Sequence, residues 1–94
     1  MKQGHTVLAR NWRTKSCEID IVSRKNKTVY FVEVKYRATA SWGDGLEAIT
    51  GKKLAQMRYA AEVWTAGERW AGECELMVAS VSGNPPKIDT LFEI

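Results

Sequence analysis

The stretch "VYFVEVKYR", Val29–Arg37, opens as a strand that belongs in a protein core and then sets a glutamate and a lysine where the apolar pattern should continue. Side chains alternate along a strand, so Val29, Phe31, Glu33, Lys35 and Arg37 share one face, and Tyr30, Val32, Val34 and Tyr36 the other. The second face stays apolar throughout. The first changes from apolar to charged halfway along, the pattern of a strand that leaves the core and enters a cleft. A charge withdrawn from water costs roughly several kcal/mol unless it is paired or holds a metal. Glu33 and Lys35 are therefore either a structural ion pair or the working part of a site.

The segment just before repeats the anomaly in reverse. In "CEIDIVS", Cys17–Ser23, the alternation puts Cys17, Ile19 and Ile21 on one face and Glu18, Asp20 and Val22 on the other. The polar turn "RKNKT" joins the two segments, which read as an antiparallel hairpin. A register with Val22 opposite Phe31, over a four-residue loop, sets Asp20 against Glu33 and Glu18 against Lys35. A two-residue loop at Lys25-Asn26 shifts each pairing by one step and still leaves the charges clustered on one face. Adjacent carboxylates repel, and without a cation one of them holds a proton. A divalent metal removes the conflict, and hard oxygen donors with no His or Cys nearby favour Mg²⁺ or Mn²⁺. A lysine beside such an ion orients an attacking water and stabilises negative charge at phosphorus. Asp20 and Glu33 as metal ligands with Lys35 as catalytic ammonium thus make a sufficient kit for phosphodiester hydrolysis. The bland alternative is a Lys35–Glu18 cross-strand ion pair at a solvent-facing sheet end.

The rest of the chain supplies the frame. Thr6–Trp12 reads as a short strand, and "RATASWGDG" after Tyr36 as a loop. Thr50 is the expected N-cap of a helix running to about Ala66, with Gly67 as its stop and Leu54, Met57, Ala61 and Trp64 as its buried stripe. Glu73–Ser82 is another strand, "GNPP" a turn, and Lys87–Ile94 an edge strand. The order β-β-β-α-β-β predicts an α/β domain with a mixed sheet and one main crossover helix. With 94 residues the expectation is a single domain. No apolar run is long enough to cross a bilayer and no signal segment follows Met1, so the expected location is the cytoplasm. Cys17 and Cys74 lack metal or redox spacing and read as reduced, packed thiols.

The net charge of +3 conceals an asymmetry: residues 1–37 sum to +6 and the remainder to −3. A basic half favours polyanions. Lys52 and Lys53 stand in the first helical turn, where the dipole disfavours cations unless a phosphate joins them. Gln56 lies one turn beyond Lys52 and is placed to face the same cleft. Arg37 continues the charged strand face toward a phosphate, and Trp42 offers a stacking surface for an unpaired base or an anchor for its loop. Arg10, Arg13, Lys15, Arg24, Lys25 and Lys27 extend the basic surface. His5 has no motif around it and reads as plain surface.

The motifs "RNWR", "EIDIVSRKN", "FVEVKYR", "GDGLEAIT" and "KKLAQM", in this order and spacing, resemble the YraN-like family of small bacterial proteins, which has a predicted PD-(D/E)XK, restriction-endonuclease-like fold. The resemblance runs from about Gly4 to the end of the chain. It implies that Asp20 and Glu33 bind the metal, often with the backbone carbonyl of Val34, and that Lys35 is catalytic. Glu18 matches the first acid of the family's G-E-I-D motif, although Cys17 stands where that motif has glycine. Thr50 and Lys53 recur in the family pattern, which fits a phosphate-backbone contact. The family normally begins with a helix carrying its own glutamate, and this sequence opens at the first strand. A second subunit or a partner is expected to cover the apolar surface which that helix would otherwise occupy. The expected function is a Mg²⁺- or Mn²⁺-dependent DNA endonuclease. Branched DNA is suggested by analogy with the similar core of Holliday-junction resolvases, and a homodimer would suit cutting two strands. The competing readings are a nucleic-acid-binding module without catalysis and a partner-docking domain.

Overall fold

The structure, a computed structural model, describes residues 4–37, 50–83, 85 and 87–94, apart from the side chains of residues 37, 89, 90 and 92. Three strands come first: β1 (Thr6–Arg13), β2 (Glu18–Lys25) and β3 (Thr28–Arg37). They are followed by helix α1 (Gly51–Glu68) and strands β4 (Glu73–Ser82) and β5 (Lys87–Glu93). The five strands form one sheet in sequential order β1-β2-β3-β4-β5. All neighbours are antiparallel except β3 and β4, which run parallel through ten paired residues from Thr28↔Glu73 to Arg37↔Ser82. A parallel pair needs a crossover, and α1 lies in it. This is the expected mixed α/β, restriction-endonuclease-like arrangement, with β1 and β5 at the edges.

The hairpin takes the register that sets Val22 opposite Phe31. The turn is tighter than the expected four-residue loop and falls one residue later than the two-residue alternative. Lys25 pairs with Thr28, which leaves only Asn26 and Lys27 to turn the chain. Asn26 makes this possible by adopting φ 57°, a left-handed conformation that asparagine tolerates.

Thr50 caps α1 as expected, its hydroxyl oxygen accepting the Lys53 N–H at 3.1 Å. The helix overruns Gly67, however, and ends at Glu68, capped by Arg69, whose left-handed φ of 53° lets Trp70 N–H reach the Thr65 carbonyl at 2.9 Å. Trp70 accounts for the later stop. It is half-buried against the core, donates its ring N–H to the Glu73 carbonyl at 3.0 Å and carries the Arg24 guanidinium on its face. Gly72 passes so close to this ring that a Cβ there would lie 2.5 Å from it and 2.6 Å from the Lys27 carbonyl. The anchored tryptophan, and not the helical glycine, fixes where the chain turns into β4.

Met57, Ala60 and Trp64 form the buried stripe of α1, with Leu54 and Ala61 partly buried. Trp64 meets Phe31 edge to face, with ring centroids 5.6 Å apart. Phe31, Val22 and Val29 are completely buried beneath the helix, each worth about 1.5–3 kcal/mol of transfer free energy. Ile19 joins the same cluster, although strict alternation would send it to the opposite face from Val22. The N-terminal half of β2 therefore does not continue the flat pattern of its C-terminal half, and this is where the site begins. Among the described residues no helix is long and apolar enough to cross a membrane.

His5 is not plain surface. Its ring lies 4.7 Å from that of Tyr30 and its Nδ1 is 3.2 Å from the Ser23 hydroxyl, with its pKa lowered first by burial and then by Lys25. Both cysteines are free thiols, Cys17 partly buried and Cys74 exposed rather than packed.

Candidate active site at a strand fork

The ladder between β2 and β3 stops at Ile21↔Val32, one residue short of the acids. Beyond that point each strand keeps its outer neighbour: β2 pairs with β1 to Arg13↔Glu18, and β3 with β4 to Arg37↔Ser82. The two strands thus part company where the charges start. In place of the next ladder bond, the Asp20 side chain accepts the Val34 N–H through Oδ2 at 2.8 Å. The N–H and C=O of a strand residue point to the same edge, so the Val34 carbonyl also faces this fork. Asp20 is released on its other flank too. The pairs Arg10↔Ile21 and Trp12↔Ile19 bracket Asn11 opposite Asp20, and Asn11 has φ 50° in mid-strand. Backbone held in a left-handed conformation costs about 1–2 kcal/mol for most residues, somewhat less for asparagine.

Glu33 stands beside Asp20 with only 11% of its side chain exposed. Burial first, and then the neighbouring Asp20 carboxyl, push its pKa above the ordinary glutamate value. Lys53 works against these effects without cancelling them. Its ammonium forms an ion pair with Glu33 Oε2 at 2.5 Å. Lys53, Met57, Ala60 and Trp64 succeed one another at spacings of four, three and four. The lysine thus heads the buried stripe of α1 and is aimed at the acid pair in the position of an apolar residue.

Lys35 lies two residues beyond Glu33 on the same strand face, about 7 Å along the chain, half-buried and without an ion-pair partner among the described residues. The alternative Lys35–Glu18 pair is not formed. Glu18 is exposed, opposite Arg13 on β1, and lines the rim between the acid niche and a larger groove. Among the described residues no three acidic, His or Cys side chains converge closely enough to hold an ion, and the described carboxylates at the centre are Asp20 and Glu33.

The larger groove has a volume of about 690 Å³ and lies between the β1–β2 turn and the first half of α1. Lys52 and Gln56 line it together, one turn apart, as their spacing predicts. Lys53 lines it too but is committed to Glu33, and the Thr50 oxygen is committed to the helix cap. Arg37 ends β3 opposite Ser82, with its side chain outside the described residues, as is Trp42. Thr14, Ser16 and Tyr59 complete the groove wall and carry no sequence signal. Only the packing of the turn against a helix some 40 residues later assembles them.

Fold and site together define a small mixed α/β protein of restriction-endonuclease-like arrangement, with a half-buried carboxylate pair at the fork of its second and third strands. The chain belongs to the family described as "Uncharacterised protein family UPF0102", whose sequence pattern matches residues 1–90. Its motifs' resemblance to YraN-like proteins is thereby borne out. A UPF0102 protein of Pseudomonas fluorescens is 36% identical over 91 residues, covering 95% of this chain and 76% of its own length. One from Geobacter metallireducens is 38% identical over 91 residues, covering 94% and 75%. One from Parafrankia is 48% identical over 63 residues, covering 67% and 53%. The chain thus spans between about half and three quarters of these relatives' lengths.

Proposed function

We propose that the protein is a metal-dependent endonuclease that hydrolyses DNA phosphodiester bonds at the β2–β3 fork. The observation that carries this reading is the buried Glu33 carboxyl set beside Asp20, a like-charge pair that the fold assembles at a cost. The donor set fits Mg²⁺ or Mn²⁺: two hard carboxylates side by side, with the Val34 carbonyl on the same edge. No His or Cys lines this niche. Asp20, Glu33 and the Val34 carbonyl would hold the ion, which when bound supplies a Lewis acid and lowers the pKa of water.

The other roles belong to the chain's own groups. Lys35, two residues from Glu33, orients the attacking water and stabilises charge developing at phosphorus. Lys53 neutralises Glu33 in the absence of another cation, and once Glu33 is otherwise satisfied its ammonium is free for the groove it already lines. Arg13, Lys15 and Lys52 attract the phosphate backbone. The same Glu33–Lys53 pair favours the second reading, a nucleic-acid-binding module without catalysis, because it satisfies the acid with no metal at all.

End-labelled single-stranded, duplex, flapped and four-way-junction DNA, incubated with Mg²⁺, Mn²⁺ or chelator, separates the two. The nuclease cuts at least one substrate only with metal, and Asp20→Asn loses about 10²–10³-fold in rate while its circular dichroism stays native. Absence of cutting on every substrate, with salt-dependent binding that ignores Asp20, would establish the binding module.

A further inference from the structure

The groove beside the acid niche carries more than positive charge. Lys52, Gln56 and Tyr59 lie at spacings of four and three on α1 and so line one row about 10 Å long, the length of roughly three stacked bases at 3.4 Å. Facing them are Arg13, Lys15 and Ser16 of the β1–β2 end. Tyr59 is 49% exposed, and its hydroxyl lies 3.4 Å from Ser16 Oγ across the groove. Among the described residues lining the groove, Arg13, Lys15 and Lys52 stand against the single carboxylate of Glu18. Glu18 and Lys53 line both the groove and the acid niche, so the two are continuous.

We infer that this groove binds an unpaired, single-stranded segment of nucleic acid, with Tyr59 as the platform for a base and Arg13, Lys15 and Lys52 on the phosphates. That the ligand is a nucleic acid rests on the nuclease reading; that it is single-stranded comes from the groove. An aromatic face in a cationic channel is useful only to a base whose own face is open, and in a duplex the bases are already stacked on one another. A site made for duplex backbone alone needs the cations and has no use for the ring. Gln56, between Lys52 and Tyr59, adds an amide able to donate to and accept from a base edge.

Fluorescence anisotropy of a labelled dT12 strand and of the dT12–dA12 duplex, in chelator, tests this without any cutting. The single strand binds more tightly than the duplex. Tyr59→Ala weakens single-strand binding about five- to a hundredfold and leaves duplex binding unchanged, whereas Tyr59→Phe, which keeps the ring and loses only the contact with Ser16, binds nearly as wild type. The double variant Lys15→Gln, Lys52→Gln reduces the magnitude of the salt slope by about 1.4 for two lost phosphate contacts. Equal or tighter binding of duplex, an unchanged affinity in natively folded Tyr59→Ala, or no binding of either DNA would overturn the inference. If the Tyr59 effect holds while no substrate is cut, the nuclease reading fails and the groove remains. If metal-dependent cutting occurs while Tyr59→Ala binds normally, the groove fails and the nuclease remains.

Discussion

Glu33→Gln is expected to melt at a higher temperature than the wild type at pH 7–8 in chelator, and to cut DNA about 10³-fold more slowly or not at all. The two effects have one cause. Burial and the adjacent Asp20 hold the Glu33 carboxyl above its ordinary 4.5 in the folded chain. A raised folded pKa means that the native state binds this proton more tightly than the unfolded state does. The stabilisation from Glu33 is therefore complete below about pH 4.5 and is lost as pH rises through the folded value. Above about pH 4.5 the metal-free fold bears a cost at this carboxyl that glutamine does not. The stability advantage of Glu33→Gln should accordingly shrink as the pH falls toward 4.5, which thermal melts across that range would read.

The structural ion-pair reading predicts the opposite sign. Breaking a buried pair by removing one partner typically costs about 3–5 kcal/mol, and Glu33→Gln would then melt lower at pH 8. Lys53 is 28% exposed, however, so its ammonium can reach water when Glu33 is neutral and is not stranded. Stability sacrificed at one buried acid, together with function lost on its neutralisation, is the signature of a site.

Lys35→Ala is expected to lose about 10²–10³-fold in cutting rate with a stability change within about 0.5–1 kcal/mol. Lys35 is half-buried on β3 and has no ion-pair partner among the described residues, so its removal strands no charge. Because it is not among the proposed metal ligands, the rise in melting temperature caused by Mn²⁺ should survive the substitution. At tenfold excess over the dissociation constant that rise corresponds to about 1.4 kcal/mol, roughly 5–10 °C for a domain of this size. Lys35→Arg should not restore the full rate, since a planar fork does not replace a compact ammonium. A Lys35→Ala protein that unfolds, or that loses the Mn²⁺ shift, would make the lysine a structural or ligand-holding group. One that alters only DNA affinity and the salt slope would return the site to the binding module.

Much of the candidate site's placement was legible in the sequence. Glu33 and Lys35 interrupt an apolar strand face, Asp20 interrupts the neighbouring one, and the Val22–Phe31 register that brings the acids together is among those the hairpin allows. Thr50 announced its helix by type and position. What escaped the sequence depends on contacts between distant segments. The fork itself is invisible to side-chain alternation, because a lost ladder bond and an Asp20 oxygen on the Val34 N–H change no residue type. Lys53 read as a phosphate contact because its partner becomes visible only when the parallel β3–β4 pairing and its crossover lay α1 over β2 and β3. Tyr59, Thr14 and Ser16 are ordinary residues until the groove gathers them. Gly67 looked like a helix stop by local rules, and the distant anchoring of Trp70 overrode it.

The acid pair itself is tested most directly by titrating Mn²⁺ into the ¹⁵N-labelled protein and monitoring paramagnetic broadening of backbone amides. The amides of Asp20, Glu33 and Val34 should broaden first and together, and in Glu33→Gln they should stay sharp at the same concentrations. Broadening that begins instead at exposed acids such as Glu62 or Glu68, or that is the same in Glu33→Gln, would show that the fork holds no metal.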